Sequence, residues 1–437
     1  MNFDESLRYL LSLGHETLAI KFGLTATRLL LEALDSPHNA FTGVQIAGTN
    51  GKGSTAAMLD AITTHAGIST GLYTSPHLIN ITERIRIGGA EISTKDFARH
   101  TTTVRTASES LQRTGALPAL PTFFEQITAI ALVAFRAANV QLAILETGLG
   151  GRLDSTTAAD ALIAAITPIA LDHQEYLGET IAEIASEKAA VIRRGITSAA
   201  IIGAQTYEEA RQVILQRSLD CGVIPRDADE CNAHVLDADA EGRLRVSFMT
   251  SQDVYEDVRL ALRGRHQVIN ASVAIMLAET LREGEFRISR RHIEAGLASA
   301  TYAGRLELHR GLPVTLFDGA HNAAGARTLR EYLNEFVKAP ITLVFGAMRD
   351  KDLREVSSIL FPAAQRVILT QIDNPRAATP EMLLEAVPCS FDSSKLVLTN
   401  SVREAWNKAL EVTPRGGIIC VSGSLYLIGE VRNLIPL

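Results

Sequence analysis

The chain has 437 residues, enough for two or three domains with sizeable cores. A hydrophobic content of 46% and a charged content of 21% are those of an ordinary globular protein, and a formal net charge of −7 gives no general attraction for nucleic acid. Met1–Glu5 lacks the basic and apolar regions of a signal peptide, and no apolar run approaches the roughly 20 residues that span a bilayer. We therefore expect a cytoplasmic protein that binds neither nucleic acid nor membrane. The four cysteines have no C-x-x-C spacing, which disfavours a zinc site or redox pair.

The first distinctive pattern is the glycine-rich stretch Gly48–Thr55. It follows a predicted strand, Val44–Ala47, and precedes a predicted helix, Ala56–Ile62. In such a turn, backbone N–H groups and the positive end of the helix dipole together form an anion site. Lys52 adds a charge for the outer phosphates, and the Ser54 hydroxyl is a ligand for Mg²⁺. The stretch predicts binding of a nucleoside triphosphate.

The spacing within this stretch differs from the common phosphate-binding pattern, G-x-x-x-x-G-K-[ST]. Here only Thr49 and Asn50 precede the Gly-Lys pair, and Gly53 separates Lys52 from Ser54. A glycine-rich turn without a ligand is the alternative interpretation. The glycines, the lysine and the hydroxyl residues, placed between a strand and a helix, favour the nucleotide site.

Further along the chain, apolar strand candidates alternate with helical patterns such as Phe124–Ala137 and Ile181–Val191. This alternation favours parallel sheets covered by helices. The strand candidates are Leu142–Leu145, Ala161–Ile166, Ala199–Ile202, Val314–Phe317, Ile341–Phe345, Arg366–Leu369 and Gly417–Val421.

Two polar motifs follow predicted strands, where ligands of open parallel sheets bind. Glu146 follows the predicted strand Leu142–Leu145 and is placed to hold Mg²⁺ opposite the phosphate loop, although a solvent-facing Glu is the alternative. Asp172 and His173 follow the apolar run Ile163–Ile169, and His173 is as consistent with a satisfied polar residue as with a metal ligand. Lys188, inside a helical pattern, would by itself be interpreted as a solvated or snorkelling lysine.

The stretch His234–Leu262 has shorter, alternating runs and predicts a small antiparallel appendage, followed by a helix from about Val268 to Leu281. A second strand-helix alternation begins near Ser299–Gly304. We therefore predict domains at residues 1–299 and 300–437. In the second domain Asp318–Asn322 follows a strand and could reach a ribose, a phosphate or a metal, or could simply be a turn with a helix cap.

Together these motifs resemble the folylpolyglutamate synthase/dihydrofolate synthase family of the Mur ligase superfamily. They occur in the family's order between positions 48 and 322. The matching segments are Gly48–Thr55, Tyr73–Leu78, Phe123–Glu125, Glu146–Asp154, Asp172-His173, Ser186–Ala189, Arg263–Gln267 with Asn270, Gly304-Arg305 and Asp318–Asn322.

The resemblance implies an α/β protein with a P-loop Mur-ligase-like parallel sheet and its antiparallel appendage in the N-terminal domain. The C-terminal domain would be Rossmann-like. It also implies ATP as co-substrate, two Mg²⁺ sites and possible carbamylation of Lys188. Lys52, Lys188 and His321 would act in catalysis. ATP would contact Asn50, Gly51, Lys52, Gly53, Ser54, Thr55, Asn270, Arg305 and Asp318, and the metals Ser54, Ser75, Glu146 and His173.

The resemblance further places the pterin part of a substrate in the N-terminal domain. The family pattern is loose around Leu24–Ala26 and closer elsewhere. The implied contacts are Leu24, Thr25, Ala26, Thr122, Phe123, Phe124, Glu125, Leu153, Asp154 and Ser155.

The implied activity is ATP-dependent addition of L-glutamate to a folate-type carboxylate through an acyl phosphate, by a monomeric enzyme. The acceptor would be tetrahydrofolate, dihydropteroate or both. Two alternatives stay open. One is a Mur- or cyanophycin-type ligase acting on another carboxylate, and the other is a switch protein that hydrolyses ATP without ligation.

Overall fold

The structure is a computed structural model, which describes residues 1–14 and 23–435. Within these ranges the chain forms two α/β domains that contain three sheets. The strands are β1 (Thr42–Ala47), β2 (Thr70–Tyr73), β3 (Ile85–Ile87), β4 (Ala90–Glu91), β5 (Leu142–Glu146), β6 (Ile163–Ile166), β7 (Ala199–Ile202), β8 (Arg226–Asp227), β9 (Asn232–Ala238), β10 (Arg243–Met249), β11 (Val254–Arg263), β12 (Glu307–His309), β13 (Val314–Asp318), β14 (Ile341–Phe345), β15 (Arg366–Thr370), β16 (Leu396–Thr399) and β17 (Ile418–Ser422).

Helices cover both parallel sheets. In the described ranges they are α1 (Phe3–Ser12), α2 (Thr25–Ala33), α3 (Lys52–His65), α4 (Thr94–Arg113), α5 (Phe123–Ala137), α6 (Gln174–Leu177), α7 (Ile181–Ala189), α8 (Glu208–Asp220), α9 (Gln267–Glu283), α10 (Arg290–Ser299), α11 (Ala323–Phe336), α12 (Leu353–Leu360), α13 (Pro380–Glu385), α14 (Val402–Val412) and α15 (Leu425–Arg432).

The N-terminal sheet has the strand order β4-β3-β2-β5-β1-β6-β7-β8. Its strands are parallel except at the β3 and β4 edge. Strand β1 lies between β5 and β6, with Ile46 opposite Glu146 on one side and Ala165 on the other. Because parallel strands end at the same edge, the loops after β1, β5 and β6 meet there.

The predicted α/β architecture is confirmed, and strand bounds differ from prediction by a few residues at most. The larger difference is at α3, which begins at Lys52 rather than Ala56. Gly51 precedes it with φ of 91°, a left-handed conformation open to glycine at no steric cost. The chain therefore enters the helix inside the glycine-rich stretch.

The predicted appendage is an antiparallel sheet of order β11-β10-β9. Its buried face, including Phe248, Tyr255 and Leu260, joins one apolar cluster with Leu59 and Ile62 of α3. Helices α9 and α10 contribute to the same cluster. The appendage is thus part of the N-terminal core.

The C-terminal sheet has the order β12-β13-β17-β14-β15-β16, and all its pairs are parallel except β12 with β13. Apolar clusters cover both of its faces. The carboxyl ends of β13, β14 and β17 therefore lie at one edge.

The two domains contact each other at several points. The Arg265 guanidinium pairs with Glu335 at 2.6 Å, and the Tyr332 hydroxyl donates to the Glu241 carbonyl at 2.8 Å. Gly429 of α15 lies so close to Leu78 that a Cβ there would be 2.0 Å from the Leu78 carbonyl oxygen. The loop after β2 is thereby packed on the C-terminal domain.

All four cysteines are free. Cys221, Cys231 and Cys420 are buried, whereas Cys389, between α13 and β16, is exposed. Burial raises the pKa of the Cys231 thiol to about 11 and raises that of Cys420 as well. Across residues 1–14 and 23–435, none of the helices has the length and apolar character needed to cross a bilayer.

Candidate active site

The phosphate loop is fixed by the loop that follows β6. The N–H groups of Thr49 and Asn50 both donate to the Pro168 carbonyl, at 3.0 and 3.2 Å. Gly48 has φ of 145°, and a Cβ there would lie 2.0 Å from the Thr167 hydroxyl oxygen. Glycine is required at position 48 by both backbone conformation and space.

The candidate anion-binding groups of this loop are the N–H groups at the start of α3. The first N–H groups of a helix have no partner inside the helix. Among the described residues, no hydrogen bond from the N–H of Lys52, Gly53 or Ser54 is found, whereas Thr55 donates to the Gly51 carbonyl at 2.9 Å. These donors, with the helix dipole behind them, can bind a phosphate.

Lys52 folds back over its own loop. Its ammonium donates to the carbonyls of Gly48 and Thr49 at 3.1 and 3.2 Å. Burial lowers the pKa of Lys52, while the nearby carboxylate of Glu146 acts in the opposite direction. Burial likewise raises the pKa of Glu146, opposed by Lys52. The two groups stabilise each other's charged forms at the edge of the sheet.

Thr55 carries a buried hydroxyl, and no hydrogen-bond partner for its Oγ1 is found in the described part of the chain. A buried hydroxyl without a partner costs free energy. A phosphate oxygen at the start of α3 would supply the missing partner once the hydroxyl turns toward the loop, because Oγ1 itself is buried. This atom therefore fits the predicted nucleotide.

Asn270 and Tyr302 cover the phosphate loop from outside. A Cβ on Gly51 would lie 2.2 Å from Asn270 Oδ1, and one on Gly53 would lie 2.0 Å from the Tyr302 hydroxyl. Asn270 was predicted as a nucleotide contact. Tyr302 was not, and the only sequence signal for it is its place beside the Gly304-Arg305 motif.

Arg305 and Asp318 lie close together at the start of the C-terminal domain. Asp318 ends β13, and its carboxylate accepts the N–H groups of Leu306 and Ala320, both at 3.0 Å. Burial raises the pKa of Asp318, and the charge of Arg305 opposes that shift. The charge of Arg305 also acts to lower the pKa of Lys52 and of Glu146.

Asp172 connects the two domains. Its carboxylate, almost fully buried, accepts from the Lys351 ammonium at 2.6 Å and the Asn322 side-chain amide at 3.0 Å, and lies 3.3 Å from His321 Nε2. Desolvation alone would raise the pKa of Asp172. The hydrogen bond from His321 and the surrounding positive charges instead hold it well below its usual range. Asn322 also donates to Asn50 Oδ1 at 3.1 Å, which joins the second domain to the phosphate loop.

The predicted metal ligands are mostly oxygen donors. The Ser75 N–H donates to Glu146 Oε2 at 3.2 Å, so these two residues are in contact. The hydroxyls of Ser54 and Ser75 and the Glu146 carboxylate suit Mg²⁺. No group of three or more His, Cys, Asp or Glu side chains that could hold a metal is found in the described ranges. An ion here would need phosphate oxygens or water as further ligands.

His173 is the exception among these donors because it offers nitrogen. Burial lowers its pKa to about 3, so the imidazole is neutral, the form that binds metals. Its Nε2, however, lies 3.4 Å from the Lys351 ammonium. A metal at His173 would compete with Lys351 for this nitrogen.

Lys188 is buried at the end of α7, next to the glycine-rich loop after β5. A Cβ on Gly151 would lie 2.7 Å from the Lys188 carbonyl oxygen, so the loop packs on the helix backbone. Burial, and secondarily the charge of Lys52, lower the pKa of Lys188 to about 7. The solvated lysine suggested by its sequence context alone is therefore wrong, because this side chain is only 4% exposed.

A cavity of about 270 Å³ opens beside this loop. Most of the predicted pterin contacts line it, and Phe124 packs on Gly148, where a Cβ would lie 2.3 Å from Phe124 Cζ. The predicted contacts that line the cavity are Thr122, Phe124, Glu125, Leu153, Asp154 and Ser155.

Four predicted pterin contacts lie elsewhere. Phe123 is 2% exposed and belongs to the N-terminal core, with the Arg84 guanidinium 5.5 Å from its ring centroid. Leu24, Thr25 and Ala26 are at the start of α2 and do not line the cavity, although Gly23 does. Phe123 points into the core on one side of α5, whereas Phe124 and Glu125 point toward the cavity.

Two acidic residues of this cavity have structural roles. Glu125 completes the cap of α5, accepting the N–H and hydroxyl of Thr122 at 2.7 and 2.9 Å. Asp154 accepts the N–H groups of Gly148 and Leu149, both at 3.0 Å, and so shapes the loop after β5. The carboxylates of Glu125 and Asp154 therefore already accept hydrogen bonds from the protein itself.

The other wall of the cavity comes from the C-terminal domain. It includes the cations Lys351 and Arg376, together with His321, and Ser424 and Tyr426 beyond β17. Apart from His321 these residues were missed. Lys351 follows the strand β14, a position that could have suggested it, whereas Arg376 has no comparable sequence signal.

Two family models match the chain. The model of the Mur ligase middle domain matches residues 46–278, and that of the Mur ligase glutamate ligase domain matches residues 304–425. The phosphate loop lies in the first matched region, and a second α/β domain faces it. The two matches identify the chain as a Mur-type ligase.

Individual relatives narrow the family. The dihydrofolate synthase/folylpolyglutamate synthase of Bacillus subtilis is 35% identical over 96% of both chains. A probable bifunctional folylpolyglutamate synthase/dihydropteroate synthase of Haloferax volcanii is 35% identical over 99% of this chain, which spans only 50% of that relative.

Solved structures agree with these relatives. A Mycobacterium tuberculosis folylpolyglutamate synthase, complexed with ADP and AMPPCP, is 32% identical with a TM-score of 0.90 and 99% coverage of both chains. The Yersinia pestis bifunctional folylpolyglutamate synthase/dihydrofolate synthase, complexed with AMPPNP and Mn ion, is 28% identical with a TM-score of 0.83, covering 99% of this chain and 98% of that one. This chain belongs to the folylpolyglutamate synthase/dihydrofolate synthase family of Mur ligases.

Proposed function

We propose that this protein is an ATP-dependent ligase that adds L-glutamate to a folate-type carboxylate. The observation that carries the proposal is the cavity beside the phosphate loop. One wall holds Phe124 and apolar loop atoms, suited to a flat ring system. The other holds Lys351, which pairs with Asp172, and Arg376, which pairs with Asp350. The remaining N–H donors of these two cations suit an amino acid with two carboxylates. Family membership supports the same reaction class.

A carboxylate must be activated before an amine can displace one of its oxygens, because that oxygen is a poor leaving group. A substrate carboxylate oxygen attacks the γ-phosphorus of ATP, and ADP leaves, giving an acyl phosphate. The amine of glutamate then attacks the acyl carbon, phosphate leaves, and the amine loses a proton. Lys52 and the N–H groups at the start of α3 would stabilise charge on the transferred phosphoryl group.

A divalent cation would bring further charge neutralisation to the phosphates. We propose that Ser54 and Glu146 belong to one Mg²⁺ site. Ser75 and His173 would contribute, with Glu146, to a second. The contact between Ser75 and Glu146 supports the shared carboxylate.

Lys188 fits carbamylation because its environment favours a neutral amine. A pKa of about 7 leaves much of the Lys188 amine unprotonated at neutral pH. The amine nitrogen would attack CO₂ and release a proton, giving a carbamate anion. That anion would lie near Lys52 and could offset its charge.

Domain closure would exclude water from the acyl phosphate. We propose a domain boundary between residues 299 and 300, in the segment between α10 and β12 that leads from one sheet to the other. His321 would hold the closed arrangement through Asp172.

Both walls of the cavity come from one chain, which supports a monomer. Free thiols, as these cysteines are, are typical of a reducing compartment and support a cytoplasmic location.

The test is to measure ADP release by the purified protein with dihydropteroate or tetrahydrofolate, each with and without L-glutamate. We expect sustained ADP release only when ATP, a pterin carboxylate and glutamate are all present, with a new amide in the product. Comparing the two acceptors determines which activity, or both, the protein has.

Lys52→Ala provides the matched control. It should remove ligation while the protein remains folded. ADP release without either co-substrate would instead indicate a switch protein, and ligation only with another carboxylate would indicate a different Mur-type ligase. Ligation by Lys52→Ala at the wild-type rate would refute the role of the phosphate loop.

A further inference from the structure

Gly53, which sets this loop apart from the common pattern, is glycine for a reason that lies outside the loop. An added Cβ would lie 2.0 Å from the Tyr302 hydroxyl oxygen, 2.3 Å from its Cζ and 2.6 Å from its Cε1. Gly53 is not among the glycines with positive φ, so its backbone conformation is open to other residues. The requirement is therefore for space, and Tyr302 occupies that space.

Tyr302 lies in the segment that joins the two domains, between α10 and β12. Its half-buried ring packs against the N-terminal core cluster. Burial raises the pKa of its phenol, and the charge of Glu146 acts in the same direction, so the hydroxyl stays protonated and can donate.

The Tyr302 hydroxyl and the start of α3 present donors to the same space. No hydrogen bond from this hydroxyl is found within residues 1–14 and 23–435, although it lies against the phosphate loop. The neighbouring N–H groups of Gly53 and Ser54 are also without acceptors there. An anion bound by these N–H groups would lie within reach of the hydroxyl.

We propose that Tyr302 is a nucleotide-binding residue whose hydroxyl donates to a phosphate oxygen of ATP, and whose ring excludes any side chain at position 53. The proposal rests on the proposed ATP site. Tyr302 belongs to the segment between the two domains. The affinity for nucleotide therefore depends on how this segment packs against α3.

The experiment measures binding of a non-hydrolysable ATP analogue with Mg²⁺ by calorimetry, together with the unfolding temperature of the unliganded protein. Tyr302→Phe keeps the ring and removes the hydroxyl. We expect its affinity to fall about tenfold, as for loss of a hydrogen bond to a charged group, with little change in unfolding temperature.

Space at position 53 is tested by Gly53→Ala alone and combined with Tyr302→Ala. Gly53→Ala should weaken binding by about tenfold or more, because the new methyl group displaces the ring. The same change in the Tyr302→Ala background should have a much smaller effect, since the ring is gone. In the Tyr302→Phe background the loss should persist, because Cζ and Cε1 remain.

Tyr332→Phe is the matched control, since its hydroxyl also crosses between the domains but donates to the Glu241 carbonyl. It should lower the unfolding temperature without weakening nucleotide binding. Wild-type affinity in Tyr302→Phe, or an equal effect of Gly53→Ala with and without Tyr302, would overturn the inference. If wild type itself fails to bind the analogue, the proposed ATP site fails instead.

Discussion

At the scale of single residues, burial changes the chemistry of side chains whose sequence context is ordinary. The pKa of Lys188 shows one of the larger shifts caused by burial. On a helical pattern Lys188 resembles a solvated lysine, yet its amine is buried among other charged groups with a pKa near 7. Sequence periodicity places it on the helix but does not report that the loop after β5 packs on the backbone of this helix. Only the family resemblance led to the proposal that Lys188 is carbamylated.

Carbamylation of Lys188 should therefore increase as pH rises from 6 to 8 at a fixed concentration of dissolved CO₂. The neutral amine is the reactive form, and its fraction increases through a pKa of about 7. The carbamate can be followed by NMR with ¹³C-labelled CO₂.

The Lys188→Ala variant should lack the signal, and added short carboxylates should partly restore its activity. A signal of unchanged size in that variant, or one that falls with rising pH, would contradict the assignment. The same shift affects stability. The folded chain releases this proton near pH 7 and the unfolded chain near 10.5, so the contribution of Lys188 to stability rises with pH between these values.

At the scale of elements, helix α3 combines two kinds of hydroxyl on one apolar scaffold. Thr55 Oγ1 has no partner among the described residues, whereas Thr63 Oγ1 donates to the carbonyls of Leu59 and Asp60, both at 3.0 Å. Both side chains are buried. The first lacks a partner within the described chain, and the second serves the fold.

Thr55→Val should leave the free energy of unfolding unchanged or slightly higher, because the substitution removes a buried polar atom without a partner. It should weaken ADP binding by about tenfold. Thr63→Val should do the reverse, lowering the free energy of unfolding by about 1 kcal/mol with ADP affinity retained.

Calorimetric binding and chemical denaturation measure the two quantities. Tight ADP binding by Thr55→Val would show that this hydroxyl does not contact the nucleotide.

The elements themselves could be predicted well from sequence. Short apolar runs predicted the strands β1, β5, β6, β7, β13, β14, β15 and β17 of the two mainly parallel sheets, and the strand-end rule located Glu146 and Asp318, because these signals are local. The other strands of these sheets, β2, β3, β4, β8, β12 and β16, have at most four residues and were missed. The contacts of Tyr302 and Arg376 could not be predicted, because they depend on how distant segments meet. Phe123 and Phe124 illustrate a finer limit. A motif names both residues, but helix geometry directs only Phe124 to the cavity.

At the scale of the whole molecule, the domain interface is organised around one buried carboxylate. Asp172 belongs to the N-terminal domain, while Lys351, His321 and Asn322 belong to the C-terminal domain. The side chains of Asp172 and Lys351 are 6% and 8% exposed. A pair so well removed from water is costly to break, because either partner alone would leave a buried charge.

A double-mutant cycle with Asp172→Asn and Lys351→Met should reveal this coupling. Each single change should lower the free energy of unfolding by about 3–5 kcal/mol, and the double variant by clearly less than the sum. The control is the interdomain pair Arg265 and Glu335, whose side chains are 55% and 37% exposed. Its coupling should be below about 1 kcal/mol. Strictly additive effects of Asp172→Asn and Lys351→Met would show that these two side chains do not stabilise each other across the interface.

The distribution of the cysteines has a practical consequence. Cys221, Cys231 and Cys420 are buried, and Cys389 is the exposed thiol of the four. A maleimide dye added to the native chain should therefore attach at Cys389, without any cysteine being engineered in or out. Since Cys389 lies in the C-terminal domain, between α13 and β16, the attached fluorophore would rotate with that domain. Fluorescence anisotropy of this conjugate, recorded as ATP is added, would report how tightly the C-terminal domain is held.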